Sequence, residues 1–339
     1  MPATLNFAVL GLGRMGRVHG QIIATQIPGA RIVAAADPDP QARAAFEAAF
    51  AVPFVTASAE EALARPEVDA VAIVTPTLSH RDLVIAAAGA GKAIFCEKPL
   101  ALTVEDNRAA IAAVERAGVP LQVGFMRRFD AAYLRAKALI DSGQIGRPVT
   151  YKAVGRDPFC PNVAFADPAR SGGLLIDMGI HDFDVARWLM GSEVTRVSGE
   201  GTLLVCETLR AVGDIDNATV NLRFASGALG NVEVSRSAFY GYDIRTEILG
   251  SEGAINIGAY QQTPVLLLTR AGAQHDVTPY LHERFGPAYL AQMRAFVACL
   301  RDGTAPAVGG RDALAALAIG YAGRRSIETG RPVDLAEVL

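Results

Sequence analysis

No run of the 339 residues approaches the 18 or so uninterrupted apolar positions that a membrane-spanning helix needs. Charge of one sign is not in surplus either. Thirty-two basic and 35 acidic side chains leave a net charge of −3, which argues against nucleic acid or an anionic membrane as the main partner. The four cysteines, Cys96, Cys160, Cys206 and Cys299, never form a CxxC pair. They read as free thiols of a reducing, cytoplasmic compartment, with no zinc site implied. No basic leader precedes the apolar run Phe7–Leu10, so no signal peptide is expected. Ser79 and Ser171 lie outside any GxSxG elbow, which disfavours a serine hydrolase. His275 and His282 have no companions at metal-ligand spacing, so no metal is expected. His19 is read as packing in the first helix or facing solvent. Arg324-Arg325 is read as part of a helix face.

What is present is an alternation. Short apolar runs at 6–10, 31–36, 70–75, 93–96 and 121–125 lack the in–out pattern of a half-exposed strand. That suits strands buried on both faces of a parallel sheet. Between them lie alanine-rich segments with helix signals. Asp39-Pro40 sets a cap before a first-turn proline, Ser58 and Glu61 fit a capping box, and Thr103 and Asp106 are a weaker relative of one. Gly118 and Pro120 close the helix that begins near Val104. The rhythm predicts an N-terminal Rossmann domain, a doubly wound parallel sheet over residues 1–122.

From 123 to 339 the texture differs. Helices are expected at 131–142, 173–190, 289–301 and 312–329. Ala218, Val220, Leu222 and Phe224 alternate, and Ser226-Gly227 turns the chain into 228–235, a hairpin signal. Further strands are expected at 245–249, 254–257 and 265–269. The second domain therefore reads as α/β, with a large, open, mainly antiparallel sheet and helices on one face.

Two constellations carry chemistry. Gly11-Leu12-Gly13-Arg14-Met15-Gly16 follows the first strand and opens a helix. The first glycine permits the tight turn, the second lets a pyrophosphate approach the backbone, and the third allows close helix–strand packing. Asp37, 21 residues past Gly16, ends the second strand, where a carboxylate grips ribose hydroxyls. The same carboxylate repels a 2′-phosphate, and Pro38 and Asp39 supply no cation, so NAD is expected over NADP. In the second constellation, Glu97-Lys98-Pro99 sits at the C-terminal end of a strand, the sheet edge where such folds bind ligands. Asp177 and His181, four residues apart on a mostly apolar helix, share one face. An apolar helix does not bury two titratable groups without a partner or a purpose. A histidine that titrates near neutrality can take a hydroxyl proton while a hydride leaves carbon.

The glycine fingerprint, Glu97-Lys98-Pro99, Thr75-Pro76-Thr77 with His80, and Asp177 with His181 and Asp182-Phe183-Asp184 together resemble the Gfo/Idh/MocA family of oxidoreductases over essentially the whole chain. Residues 122–130 and 240–244 resemble its inositol 2-dehydrogenase branch. The resemblance implies an NAD-dependent dehydrogenase of a cyclic polyol, myo-inositol before another inositol isomer or a pyranose, assembled as a homo-tetramer or dimer through the open sheet. It implies that Lys98 orients the substrate, Asp177 bonds a hydroxyl and His181 is the general base. Arg127, Asp157 and Tyr242 would contact the polyol. Thr75, Pro76, Thr77, His80, Glu97 and Met126 would border the cofactor, beside Gly11, Gly13, Arg14, Met15, Gly16 and Asp37. One departure stands out. Inositol dehydrogenases often carry His-Arg-Asn-Pro where this chain has Gly155-Arg156-Asp157-Pro158. The change removes an imidazole and an amide donor, and adds an acceptor with charge.

Overall fold

The computed structural model describes residues 4–258 and 261–339. The chain divides into two compact units. One runs to Met126 and takes in Tyr289–Leu314; the other comprises Arg127–Ala288 and Ala315–Leu339. The expected boundary at 122/123 falls four residues before the first crossing, and the return of 289–314 to the first unit has no counterpart in the sequence reading.

The first unit is built on six parallel strands, β1 (Leu5–Leu10), β2 (Ala30–Ala36), β3 (Phe54–Thr56), β4 (Ala70–Ile73), β5 (Ala93–Cys96) and β6 (Leu121–Val123), in spatial order β3-β2-β1-β4-β5-β6. That is the doubly wound order whose direction reverses between β1 and β4. Phe7 to Leu10 and all four residues of β4 are wholly buried, as strands covered on both faces require. β3 went unread because three half-buried residues carry no periodic signal. The expected strand at 70–75 stops at Ile73, where the chain leaves the sheet to meet the glycine loop. The helix starts follow the capping residues. Asp39 accepts from the Gln41 amide at 2.9 Å, Ser58 from Glu61 at 3.2 Å and Thr103 from Asp106 at 3.0 Å. Neither acid completes the expected reciprocal box: the Glu61 carboxylate accepts from the Thr56 hydroxyl, and Asp106 bonds Arg81.

The second unit carries a seven-stranded sheet. Its strands are β7 (Pro148–Arg156), β8 (Val194–Thr202), β9 (Asn217–Phe224), β10 (Leu229–Ser235), β11 (Asp243–Gly250) and β12 (Ala254–Ile257). A separate hairpin, β13 (Leu266–Thr269) with β14 (Gly272–His275), precedes the last strand, β15 (Val333–Asp334). The spatial order is β12-β11-β7-β10-β9-β8-β15. Ala218, Val220, Leu222 and Phe224 all point into the core, and Gly227 makes the β9–β10 turn at φ +89°, which favours glycine. The sheet is mixed: β7 and β10 run parallel, Ala153 opposite Val232, while the remaining neighbours are antiparallel. Helix Ala131–Asp141 agrees with expectation, and the two long C-terminal helices, Leu281–Asp302 and Gly310–Thr329, extend further than the sequence suggests.

The reading of four free thiols needs correction. Cys160 and Cys206 form a disulfide across 46 residues of sequence, while Cys96 and Cys299 are free. Separation along the chain concealed the pairing. The short helix after β7 (Val163–Ala166) packs on the turn Glu207–Val212, and that contact is tertiary. Among the described residues no helix is long and apolar enough to cross a membrane.

Candidate active site

In the first unit the three glycines of the fingerprint have three distinct environments. A Cβ on Gly11 would lie 2.7 Å from the Thr75 amide nitrogen and the Val74 carbonyl oxygen, and its φ is +90°. One on Gly16 would lie 2.0 Å from the Gly11 carbonyl oxygen. A Cβ on Gly13 would meet nothing within 4 Å. The outer two glycines are therefore required by packing. The middle one faces open space, which fits a pyrophosphate approaching the backbone at the start of helix Arg14–Gln26. Arg14 is exposed and Met15 half-buried at the same helix start.

Asp37 follows β2 directly. Its Oδ2 accepts from the Leu12 amide at 2.7 Å, inside the glycine loop, and its Oδ1 from the Asp39 amide at 2.9 Å. The carboxylate is thus locked to the loop that would hold the adenosine half of the cofactor. Pro38 and Asp39 supply no cation, as read from the sequence, but a residue further on does reach this backbone. Arg43 donates to the carbonyl oxygens of Asp37 and Pro38 at 2.7 and 3.0 Å, and one helical turn hid it from inspection of the adjacent residues.

The loops after β4 and β5 are tied together by His80. Its two ring nitrogens face the Thr75 and Pro99 carbonyl oxygens, each at 2.8 Å, and the ring is 1% exposed. Burial pushes its pKa down, while the two carbonyl oxygens, each of which calls for a ring N–H, oppose that shift. Thr75 also receives the Ser79 hydroxyl at 2.7 Å, while Pro76 is exposed and Thr77 half-buried. Lys98 and Glu97 are half-buried just beyond β5, and the Lys98–Pro99 peptide is cis. Glu97 is held by His19, the histidine read as packing or facing solvent. The His19 Nε2 lies 2.8 Å from Glu97 Oε1, the ring is wholly buried, and it lies 4.9 Å from the Phe95 ring. The other Glu97 oxygen accepts the Lys98 amide, and Gly124 leaves it room. Met126 is buried.

In the second unit Asp177 sits within a π-helical turn, Leu175–Gly179, that runs into helix Ile180–Met190 carrying His181. Such turns widen the helix and recur at functional sites. Both side chains are half-buried. Asp177 Oδ2 receives Arg236 Nη2 at 3.2 Å; Arg236 Nη1 bonds Asp214 at 3.0 Å. Sequence inspection had no reason to select Arg236 or Asp214. Arg127 is 3% exposed and makes a buried ion pair with Asp182 at 2.5 Å; Arg128 does the same with Asp184. Burial raises the Asp182 pKa although Arg127 pulls it down. A Cβ on Gly155 would lie 2.8 Å from Asp182 Oδ2, so glycine at this position lets the carboxylate reach β7. Asp157 is fixed by its backbone to Ser235 and Ala238. Tyr242 packs edge-on against Tyr280 and Phe285 and is 9% exposed.

Profile comparison matches residues 5–125 to "Oxidoreductase family, NAD-binding Rossmann fold" and residues 137–335 to "Oxidoreductase family, C-terminal alpha/beta domain". The chain belongs to the Gfo/Idh/MocA oxidoreductase family. It is 43% identical to a scyllo-inositol 2-dehydrogenase (NAD(+)) of Bacillus subtilis, with 97% of this chain and 95% of the relative covered. It is 38% identical to a myo-inositol 2-dehydrogenase of Thermotoga maritima, covering 99% and 100%. A solved scyllo-inositol dehydrogenase from Lactobacillus casei, with bound NAD(H) and scyllo-inositol, superposes with a TM-score of 0.92 at 30% identity, covering 98% and 99%. This Gfo/Idh/MocA member is an NAD-dependent dehydrogenase acting on CH–OH groups, of the inositol 2-dehydrogenase type. Its cofactor is NAD(H). Among the described residues no group of three or more His, Cys, Asp or Glu side chains is placed to hold a metal.

Proposed function

We propose that the chain oxidises a ring hydroxyl of myo-inositol to the ketone 2-keto-myo-inositol. The observation that carries this is that Asp177 and His181 stand four residues apart on one π-to-α-helical segment, in a chain that also has an NAD-binding fingerprint and whose relatives are named inositol dehydrogenases. Bound NAD supplies the hydride acceptor; the protein supplies alignment and charge. Lys98 donates to the reacting hydroxyl and stabilises the charge that grows on its oxygen. Asp177 accepts from the reacting or adjacent hydroxyl and so fixes the ring. His181 takes the hydroxyl proton as the hydride departs, and returns it in the reverse reaction. Arg14, Met15, Thr75, Pro76, Thr77 and Met126 are assigned to the cofactor, and Arg127, Asp157 and Tyr242 to the polyol.

The scyllo isomer is the second reading, favoured by the 43% identical relative. The two substrates differ only in the configuration at one carbon. Oxidation there erases the difference and gives one ketone. The C–H bond is equatorial in the myo isomer and axial in the scyllo isomer, so one hydride-acceptor position demands two ring orientations. The groups that bond the other hydroxyls therefore choose the isomer, because an unpaired buried hydroxyl costs ~1–3 kcal/mol.

NADH formation with myo-, scyllo- and chiro-inositol, glucose and xylose tests this, alongside Lys98→Ala. The expected result is reduction of NAD by myo-inositol above the others, with Lys98→Ala slowed by about 10²-fold or more at undiminished NAD binding. Preference for scyllo-inositol moves the assignment to the second reading. Activity with a pyranose alone, or full activity of Lys98→Ala, defeats the proposal.

A further inference from the structure

Arg236 heads the largest wholly buried side chains of the protein, at 1% exposure, and it follows β10 immediately. Its guanidinium joins two carboxylates. Nη1 lies 3.0 Å from Asp214 Oδ2 and Nη2 lies 3.2 Å from Asp177 Oδ2. Asp214 is itself anchored, because its Oδ1 accepts the backbone N–H of Leu174 at 3.2 Å, one residue before the π-helical turn that carries Asp177. Arg236 is fixed at its other end too, its amide donating to the Asp216 carbonyl oxygen at 2.9 Å. The result is a closed brace from the end of β10, through the guanidinium, to both ends of the segment Leu174–Asp177.

We infer that Arg236 is the positioning residue for Asp177, with Asp214 as its anchor. This rests on the reading of Asp177 as a substrate-bonding group. A planar fork can hold two carboxylates in fixed directions, which a flexible ammonium cannot. The brace does two things. It aims the Asp177 carboxylate from a turn whose backbone pattern is locally irregular. It also places one positive charge between two carboxylates that would otherwise face each other in a largely buried position. Gly173 completes the arrangement, since a Cβ there would lie 2.7 Å from Asp214 Oδ1. A misplacement on the order of 1 Å at a substrate-orienting group costs about 10² in rate, so an effect of that size belongs to this residue although it need not touch substrate.

The experiment uses the full-length protein carrying Arg236→Lys, Arg236→Gln, Asp214→Asn or Asp177→Asn. It measures kcat and KM for myo- and scyllo-inositol, the Kd of NAD, and Tm. Arg236→Gln is expected to lower kcat/KM for inositol by about 10²-fold, with the Kd of NAD within about twofold and the loss persisting well below its Tm. Arg236→Lys is expected to recover part of that loss, because the charge is kept and the fork is not. Asp214→Asn conserves size and the Leu174 contact while loosening the anchor, and an intermediate loss is expected. If Arg236→Gln does not fold, Arg236→Lys and Asp214→Asn decide. Inositol kinetics within twofold of wild type in the folded Arg236 and Asp214 variants, beside an inactive Asp177→Asn, overturn the positioning role alone. A fully active Asp177→Asn overturns instead the catalytic reading on which it rests.

Discussion

At the scale of single residues, Arg127 has two candidate jobs that leave different traces. The family resemblance assigns it to the polyol. The structure gives it a buried ion pair with Asp182, with its guanidinium 5.7 Å above the Phe285 ring. Removing one member of a buried pair leaves an uncompensated charge and costs roughly 3–5 kcal/mol. Arg127→Met is therefore expected to destabilise the protein by that order. The pH dependence follows from the direction of the Asp182 shift. Burial already raises this carboxyl in the folded state, so in the pH interval between its unfolded and folded values the folded protein holds a proton that the unfolded chain has released. Stability from this group is present at low pH and declines as pH rises through and above the ordinary carboxylate range. Loss of Arg127 enlarges the shift. Urea unfolding of Arg127→Met should show a greater deficit at pH 8 than at pH 5. An unchanged unfolding midpoint with a raised inositol KM would give Arg127 to the substrate instead.

At the scale of elements, the disulfide and the π-helical turn flank the same part of the second unit. Cys206 is presented by Asp216, whose carboxylate accepts the amides of Leu204, Val205 and Cys206; these bonds hold its pKa below the usual carboxylate range although burial opposes them. Cross-linking two points 46 residues apart removes about 4 kcal/mol of chain entropy from the unfolded state in the loop-closure description. Cys160→Ser is expected to lower Tm by several degrees in oxidising buffer and to leave it unchanged in the presence of a thiol reductant. Equal melting of wild type and variant in oxidising buffer would show the two cysteines to be unpaired in solution. The outcome bears on compartment as well, since stable disulfides are rare in a reducing cytosol.

At the scale of the whole molecule, the outer face of the second sheet is the surface through which the family resemblance expects self-association. Leu229 and Leu249, 51% and 46% exposed, both pair with Thr150, so two exposed leucines flank a threonine in a row across β10, β7 and β11 on that face. Light scattering coupled to size exclusion is expected to give a dimer or tetramer, and Leu229→Asp with Leu249→Asp to shift it toward smaller species. A monomer at all concentrations would remove the expectation. The same scale shows what was legible beforehand. Unbroken apolar runs marked β1, β2, β4 and β5 because strands covered on both faces tolerate nothing else, and the capping residues marked their helices because each satisfies a backbone amide two or three positions away. The glycine fingerprint and Asp37 were legible for another reason: the acid stands at a characteristic spacing from the turn, at the end of the next strand. β3 was not, because three half-buried residues carry no periodic signal, and the parallel pairing of β7 with β10, the Cys160–Cys206 bond and the His19–Glu97 contact were not, because each depends on segments brought together over tens of residues. The sequence by itself determined the two-part α/β class and the NAD loop, through short-range patterns that local sterics and hydrogen bonding enforce, while Lys98, Asp177 and His181 became candidates through their spacing together with the family resemblance. Only the tertiary structure decided which buried partner each charge receives: Arg236 with Asp214 for Asp177, Asp182 for Arg127, His19 for Glu97. A buried ion must find its counter-charge in space, and nothing in local periodicity records where that partner lies.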